Sequence, residues 1–126
     1  MAKAKILVVD DNVTIGKLLE IRLTANDYEV IIATSGQEGL DKAVQEKPNL
    51  VLLDVTMPGM DGIEVGTRLH QNEETKKIPV IMLTARGERS IINMAMDQFS
   101  PHGYILKPFT PEKLLGEIER ALKSSL

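Results

Sequence analysis

The sequence contains no cysteine and no tryptophan, and tyrosine and phenylalanine occur only twice each. Without cysteine there is no disulfide framework, no thiolate metal site and no thiol nucleophile. Long hydrophobic runs are also missing. The first apolar run, Ile6–Val9, stops at Asp10 and is too short for the hydrophobic region of a signal peptide. No segment is long enough to span a bilayer, so we expect a cytoplasmic location without membrane attachment.

Neither sign of charge dominates the chain, which has 15 basic and 18 acidic residues and a net charge of −3. This balance lacks the basic excess that non-specific nucleic-acid binding requires. A charged fraction of 26% and an apolar fraction of 43% are ordinary for a globular protein. The 126 residues suffice for one hydrophobic core, and no repeat or linker divides them. We therefore expect a single domain over residues 1–126.

The stretch of residues 50–62 organises the rest of the chain. Its first four residues, 50–53, are large and aliphatic, which predicts a strand buried on both faces, as in a parallel sheet covered by helices. Asp54 follows them directly. Pro58 and Gly59 then favour a sharp turn, because proline presets φ and glycine tolerates positive φ. Asp54 is thereby placed at the carboxyl edge of the sheet, where open α/β sheets bind ligands.

Five apolar strands alternate with five helical segments along the chain. Capping residues mark helix starts: Asn12, Ser35 with Glu38 in a capping box of reciprocal backbone contacts, and Thr110 before Pro111. The alternation predicts a parallel α/β sheet with right-handed crossovers, a doubly wound three-layer sandwich of flavodoxin-like order 2-1-3-4-5. The predicted strands cover 5–11, 28–33, 50–54, 79–85 and 104–106, and the helices end near 27, 46, 71, 96 and the C-terminus.

Acidic, hydroxyl and amine side chains stand at the ends of the predicted strands. The strand order would bring Asp10, Asp11 and Asp54 to one edge of the sheet, together with Thr84 and Lys107. Three carboxylates that share one edge repel one another unless a cation neutralises them. An all-oxygen site suits Mg²⁺, which favours phosphate oxygens as further ligands. The set predicts phosphoryl transfer to Asp54 as the carboxylate nucleophile, with the hydroxyl and the amine holding phosphoryl oxygens.

The sequence resembles the receiver domain of two-component response regulators, and the resemblance runs from Lys5 to about Leu122. It rests on a set of motifs. These are Val-Val-Asp-Asp-Asn at 8–12, Leu-Asp-Val-Thr-Met-Pro-Gly-Met-Asp-Gly at 53–62, Leu-Thr-Ala at 83–85 and Lys-Pro-Phe at 107–109.

The resemblance implies a role for each acidic residue. Asp54 would accept a phosphoryl group from the phosphohistidine of a sensor histidine kinase or a histidine phosphotransfer protein. Asp11, Asp54 and the backbone carbonyl of Thr56 would ligate Mg²⁺, while Asp10 would hold that shell through water. Thr56 and Arg86 each lie two residues beyond a site residue, so we expect their side chains to flank the path of an attacking water.

The resemblance also implies a switch. Thr84 and Lys107 would hold the phosphoryl oxygens, and the movement of Thr84 would let Tyr104 turn inward. The face formed by helix 4, strand 5 and helix 5 would then change its affinity for a downstream protein, in a monomer or a weak phosphorylation-dependent dimer. The Lys107–Pro108 peptide bond would be cis. Such a protein is not an enzyme, beyond assisting its own phosphorylation and dephosphorylation.

One segment departs from the pattern of the family. Receivers usually reach the fifth strand through a short turn, whereas residues 97–103 form a longer connection here. We expect Phe99 to fold beneath this connection as an anchor that stiffens helix 4, and His102 to face solvent. The methionines are expected to fill the core rather than to serve redox chemistry.

Three alternatives compete with a stand-alone receiver, although the final residues resemble a natural helix end. The first is a receiver domain cut from a longer regulator. The second is an aspartate-nucleophile phosphohydrolase, which needs an acid where Thr56 stands and a cap domain for which there is no room. The third is a flavin-binding electron carrier, which should have a glycine- and hydroxyl-rich loop where the chain has residues 10–12.

Overall fold

The computed structural model of the protein describes residues 2–55, 62–85 and 89–124. Strands and helices alternate in it as the hydrophobic pattern predicts. The strands are β1 (Lys5–Val9), β2 (Glu29–Ala33), β3 (Leu50–Asp54), β4 (Val80–Ala85) and β5 (Gly103–Lys107). The helices are α1 (Val13–Thr24), α2 (Gly36–Glu46), α3 (Gly62–Gln71), α4 (Arg89–Gln98) and α5 (Pro111–Ser124). Within these ranges, no helix is both long enough and apolar enough to cross a membrane.

Three helices begin at the capping residues that the sequence predicts. The side chains of Asn12 and Ser35 each accept a hydrogen bond at 3.1 Å from a backbone N–H in the first turn of their helix. Thr110 does the same for α5, also at 3.1 Å. The second bond of the capping box of α2 differs from the usual one to the N-cap residue. The carboxylate of Glu38 accepts from the backbone N–H of Thr34, one residue before the N-cap Ser35, at 2.6 Å. The caps at Asn12, Ser35 and Thr110 each satisfy an N–H group that a helix start leaves without a partner.

The five strands form one parallel sheet in the order β2-β1-β3-β4-β5. This confirms the predicted doubly wound, flavodoxin-like architecture. Strands β1, β3 and β4 are central, and all five strands point in the same direction. Their carboxyl ends therefore share one edge of the sheet, which is where such folds bind ligands.

The hydrophobic core has two layers, one on each face of the sheet. Strand β3 shows the alternation: Leu50 and Leu52 pack in the layer under α1 and α5, whereas Val51 and Leu53 pack in the layer under α2, α3 and α4. All four side chains are fully buried. A central strand covered by helices on both faces needs apolar residues at every position, which explains the unbroken aliphatic run.

The connection between α4 and β5 is shorter than the sequence suggests, because α4 continues to Gln98. Phe99 is 5% exposed and packs in the layer beneath the helices, which confirms that it is buried. The expectation that it stiffens α4 stays a prediction. Its ring lies against Gly66 of α3, where an added Cβ would be 2.5 Å from the ring atom Cε1. His102 is exposed, as expected.

Two expectations about the chain have other outcomes. The methionines do not all fill the core: Met82 is fully buried, but Met94 and Met96 on α4 are each 51% exposed. The isolated helix pattern could not show which side of α4 meets the protein. The predicted turn at Pro58 and Gly59 lies outside the described residues.

Candidate functional site

The strand order brings the predicted site residues to the carboxyl edge of the sheet. Strand β1 ends just before Asp10 and Asp11, which were expected inside it. Asp54 is the last residue of β3, beside the strand that carries Thr84. Lys107 is the last residue of β5, on the far side of that strand. The sheet therefore assembles side chains from four separated parts of the sequence.

The three predicted carboxylates form one cluster. One oxygen from each of Asp10, Asp11 and Asp54 lies within 4.8 Å of the others. Asp10 is fully buried and Asp54 is 5% exposed, whereas Asp11 is exposed to solvent. Charges held this close and shielded from water repel one another more strongly than they would at the surface.

The electrostatics of the cluster are most evident at Asp10. Burial raises the pKa of Asp10 to about 6, against the hydrogen bond that its Oδ1 accepts from the backbone N–H of Asn12 at 2.9 Å. The charge of Asp54 raises the pKa further, and the charge of Lys107 lowers it. The other oxygen, Oδ2, is buried and accepts no hydrogen bond within the described residues.

A divalent cation fits this set of donors. A buried carboxylate oxygen without a hydrogen-bond partner costs free energy unless something positive approaches it. Oxygen ligands alone, with two or three carboxylates and access to water, suit Mg²⁺ better than they suit a transition metal. The exposed position of Asp11 leaves room for waters in the coordination shell, which Mg²⁺ usually retains.

Lys107 completes the charged part of the site. Its Nζ lies 3.4 Å from Oδ1 of Asp54. Thr84 is 1% exposed, next to this pair in the sheet. Tyr104 lies three residues before Lys107 on β5 and is 46% exposed, so its ring faces outward. The Lys107–Pro108 bond is cis, as the resemblance implies.

Gly62 is a structural requirement of the site that sequence reasoning did not identify. Its backbone N–H donates to the carbonyl of Val55 at 3.3 Å, so α3 begins against the end of β3. An added Cβ at Gly62 would lie 2.5 Å from the carbonyl oxygen of Asp54. One signal in the sequence could have identified it. Gly62 occupies the first helical position of α3, where proline is more usual, and glycine is typical where another segment of backbone approaches closely.

Some predicted site residues lie outside the described residues. These are Thr56, whose carbonyl the resemblance assigns to Mg²⁺, and Arg86, expected beside the path of water. Their roles stay predictions.

The fold and the site together define a doubly wound α/β domain with an acidic pocket and a lysine at its ligand-binding edge. Residues 6–119 match the family described as the response regulator receiver domain, and the chain belongs to this family. Phosphorylation and Mg²⁺ binding through an acidic pocket are general features of receiver domains. This membership favours the receiver interpretation over a phosphohydrolase or a flavin carrier.

Curated relatives are similar over almost the whole chain. The alkaline phosphatase synthesis transcriptional regulatory protein PhoP of Bacillus subtilis is 40% identical over 96% of the chain and 49% of its own length. The phosphate regulon transcriptional regulatory protein PhoB of Pseudomonas aeruginosa is 37% identical, over 98% and 53%. The chain thus spans about half the length of the curated relatives that it matches.

Solved structures show the same fold. A response regulator from Chloroflexus aurantiacus superposes with a TM-score of 0.90 at 34% identity, covering 95% of this chain and 98% of that one. The chemotaxis protein CheY4 of Vibrio cholerae superposes with a TM-score of 0.86 at 33% identity, covering 95% and 99%. Both of these solved proteins therefore align with the chain over nearly their full length.

Proposed function

We propose that Asp54 accepts a phosphoryl group from the phosphohistidine of a sensor histidine kinase or a histidine phosphotransfer protein. An oxygen of the Asp54 carboxylate forms a new P–O bond while the P–N bond of the donor breaks. The other ring nitrogen of the phosphohistidine carries a proton, so the donor nitrogen keeps the electron pair of the broken bond and the ring leaves as neutral imidazole. The product on the protein is an aspartyl phosphate. Hydrolysis by water restores the carboxylate and releases inorganic phosphate.

The observation that carries this proposal is the position of Lys107 over the buried carboxylate of Asp54, at 3.4 Å. A phosphoryl group on Asp54 would lie within reach of this amine and of the Thr84 hydroxyl. Phosphoryl transfer depends mainly on alignment and on neutralisation of charge, which a cation at this distance supplies. Assisting its own phosphorylation and dephosphorylation is then the only chemistry the protein needs, so it acts as a signalling switch and not as an enzyme.

Asp11, Asp54 and the backbone carbonyl of Thr56 would hold Mg²⁺, and Asp10 would support that shell through water. The clustering of the three carboxylates within 4.8 Å supports this assignment. When bound, Mg²⁺ neutralises the acidic pocket and the phosphoryl oxygens, which otherwise repel one another. Without a cation, the negative charge of the pocket opposes the approach of any phosphate donor.

The proposed switch links Thr84 to Tyr104. A hydroxyl drawn toward the phosphoryl group vacates space beside β5, and the outward ring of Tyr104 turns into it. Phosphorylation shifts this equilibrium only by its difference in affinity for the two states. The face of α4, β5 and α5 would present the change to a downstream protein, with the receiver as a monomer or a weak phosphorylation-dependent dimer. The same proposal includes a single receiver domain over residues 1–126 and a cytoplasmic location.

Intact-mass measurement with acetyl phosphate tests the acceptor. The protein should gain the mass of one phosphoryl group in the presence of Mg²⁺ and should gain none when EDTA is added. Asp54→Asn should abolish the gain. Asp41→Asn, a matched change of an exposed carboxylate on α2, should leave it intact. A phosphorylated Asp54→Asn variant, or labelling that is indifferent to Mg²⁺, would overturn the assignment.

Amide NMR with beryllofluoride, a mimic of the phosphoryl group, tests the switch. In the presence of Mg²⁺ the large chemical-shift changes should extend from the Asp54 pocket to residues 88–122. If the changes stop at the pocket, the protein stores or relays phosphate without a conformational switch.

A further inference from the structure

A small cavity of about 110 Å³ lies at the edge of the sheet opposite to the acidic pocket, between the end of α3 and the connection from α4 to β5. His70 lines it from α3, and His102 lines it from the position just before β5. The two residues are far apart in the sequence, and the chain contains two histidines in all. The fold therefore brings every imidazole of the protein to one cavity.

The close approach of α3 to this connection depends on Gly66. The ring of Phe99 packs on Gly66, where an added Cβ would be 2.5 Å from the ring atom Cε1. His70 is four residues beyond Gly66, so it lies on the same face of α3, one turn farther along. On the other side of the cavity, the backbone N–H of His102 donates to the carbonyl of Val80 at 2.9 Å. Both histidines are therefore carried by backbone that the fold holds in place.

The two imidazoles differ from the other polar side chains at the cavity because neither has a partner. Among the residues that the structure describes, neither ring forms a hydrogen bond or an ion pair. The hydroxyls of Thr75 and Ser100 donate to backbone carbonyls, at 2.7 Å and 3.1 Å. The amine of Lys76 pairs with Glu73 at 2.8 Å. The ring nitrogens are thus available to a ligand from solution.

The chemistry of these donors favours a transition metal. Imidazole nitrogen suits Zn²⁺, Cu²⁺ and Ni²⁺, whereas Mg²⁺ and Ca²⁺ require oxygen ligands. No acidic residue lines the cavity within the described ranges, so a hard cation finds no carboxylate there. The positive charge of Lys76 is offset by its ion pair with Glu73. Both histidines are exposed to solvent, which lets water complete the coordination shell.

We propose that His70 and His102 together bind one divalent first-row transition-metal ion, with water in the remaining positions. The bound ion joins the end of α3 to the connection that precedes β5. Once one imidazole has bound, the second binds within the same molecule, so the pair should bind far more tightly than one surface histidine does. The site shares no residue with the acidic pocket, goes beyond the proposed phosphoryl transfer and does not depend on it.

NMR titration of the full chain with Zn²⁺ at neutral pH tests the proposal. Saturating Mg²⁺ is kept in the sample to occupy the acidic pocket. The ring nitrogens of both histidines should shift together and saturate at one ion per chain. His70→Gln and His102→Gln should each weaken Zn²⁺ binding by about tenfold or more. Since both side chains are exposed, these changes should spare the fold.

Two control variants locate the effect. Gln71→Ala changes an exposed neighbour of His70 that does not line the cavity, and it should leave Zn²⁺ binding unchanged. Asp54→Asn should also bind Zn²⁺ at the histidines with unchanged affinity. A failure of this proposal and a failure of the phosphorylation proposal therefore remain distinguishable.

Metal preference and stability give two further measurements. A site of two imidazoles should bind Cu²⁺ more tightly than Zn²⁺, and Mn²⁺ most weakly of the three. In saturating Mg²⁺, Zn²⁺ should raise the Tm of the wild type, because an ion that binds only the folded state stabilises it. The same addition should leave the Tm of either histidine variant unchanged.

Three results would overturn the proposal. An affinity that survives the loss of one imidazole, or shifts at one ring alone, would show ordinary binding to a single surface histidine. Zn²⁺-dependent dimers in sedimentation, lost in either histidine variant, would show that two copies of the chain share the ion. Shifts confined to the Asp54 pocket despite saturating Mg²⁺ would place the ion at the acidic cluster instead.

Discussion

The Nζ of Lys107 lies 3.4 Å from Oδ1 of Asp54, although 53 positions separate the two residues in the sequence. Strand β4 lies between the strands that carry them, so the contact crosses the width of a strand at the sheet edge. The side chain of Asp54 is 7% exposed and that of Lys107 is 28% exposed. This shielding makes the pair stronger than an ordinary surface ion pair.

Replacing Lys107 with alanine should separate metal binding from switching. Lys107→Ala should retain Mg²⁺ binding, because the three carboxylates remain, but should lose the long-range response to beryllofluoride, because the point charge on the phosphoryl group is gone. Mg²⁺ titration and amide NMR measure the two properties. Lys77→Ala, an exposed lysine in a loop, is the matched control and should change neither. A full response in Lys107→Ala would contradict the role of this amine.

Removing the charge of Asp10 should stabilise the metal-free protein. Burial raises the pKa of Asp10 from 3.8 to about 6, so the folded state disfavours the ionised carboxyl at pH 7. Asp10→Asn removes this penalty, on the order of 3 kcal/mol at 1.36 kcal/mol per pKa unit. Thermal unfolding in EDTA at pH 7 should show a higher Tm. Mg²⁺ should stabilise the wild type more than it stabilises the variant.

The same pKa predicts a pH dependence of stability. Since the folded-state pKa lies above the unfolded value, the folded state binds the proton more tightly, and the contribution of Asp10 to stability increases as pH falls from about 6 toward 3.8. Above about pH 6 the full penalty is present. The difference in free energy of unfolding between Asp10→Asn and the wild type should therefore shrink from pH 7 to pH 4 in EDTA. A difference that stays constant over this range would refute the assignment.

Adding a methyl group at Gly62 should disturb the phosphoacceptor. A Cβ there would lie 2.5 Å from the carbonyl oxygen of Asp54, and backbone cannot move aside cheaply. Gly62→Ala should lower the free energy of unfolding by about 1–3 kcal/mol, as overpacking does. It should also slow labelling by acetyl phosphate. Gly116→Ala is the matched control, because nothing lies within 4 Å of its added Cβ. That change should be neutral or should stabilise α5 by up to about 1 kcal/mol.

The contact between Phe99 and Gly66 should be a large source of stability for α4. Phe99→Ala should cost about 3–5 kcal/mol, as for other buried phenylalanines. Gly66→Ala would gain up to about 1 kcal/mol of helix propensity, but the clash at 2.5 Å from the ring should outweigh that gain. The double variant should lose less than the sum of the two, which a double-mutant cycle by urea unfolding measures. Additive losses would show that the ring and the glycine are not coupled.

Most of the fold was predictable because its signals are local. The aliphatic run of β3 and the caps at Asn12, Ser35 and Thr110 depend on neighbours within a few residues, and the structure confirms all of them. The sheet order followed from the alternation of elements and the handedness of crossovers. Once the order is known, the strand ends place Asp54 and Lys107 at one edge.

Tertiary structure decided the properties that depend on which side chains meet. The fit of Phe99 on Gly66 and of Gly62 on the Asp54 carbonyl arises between separate elements, so no periodicity reveals it. Helical spacing placed Leu18 among the apolar positions of α1. It could not show that α5 does not pack closely on α1 and that Leu18 is therefore exposed. The sequence by itself determined the elements, their order and the identity of the acidic cluster, because these depend on short-range pattern and topology. The burial of each charge and the shape of each cavity came from packing across the sheet.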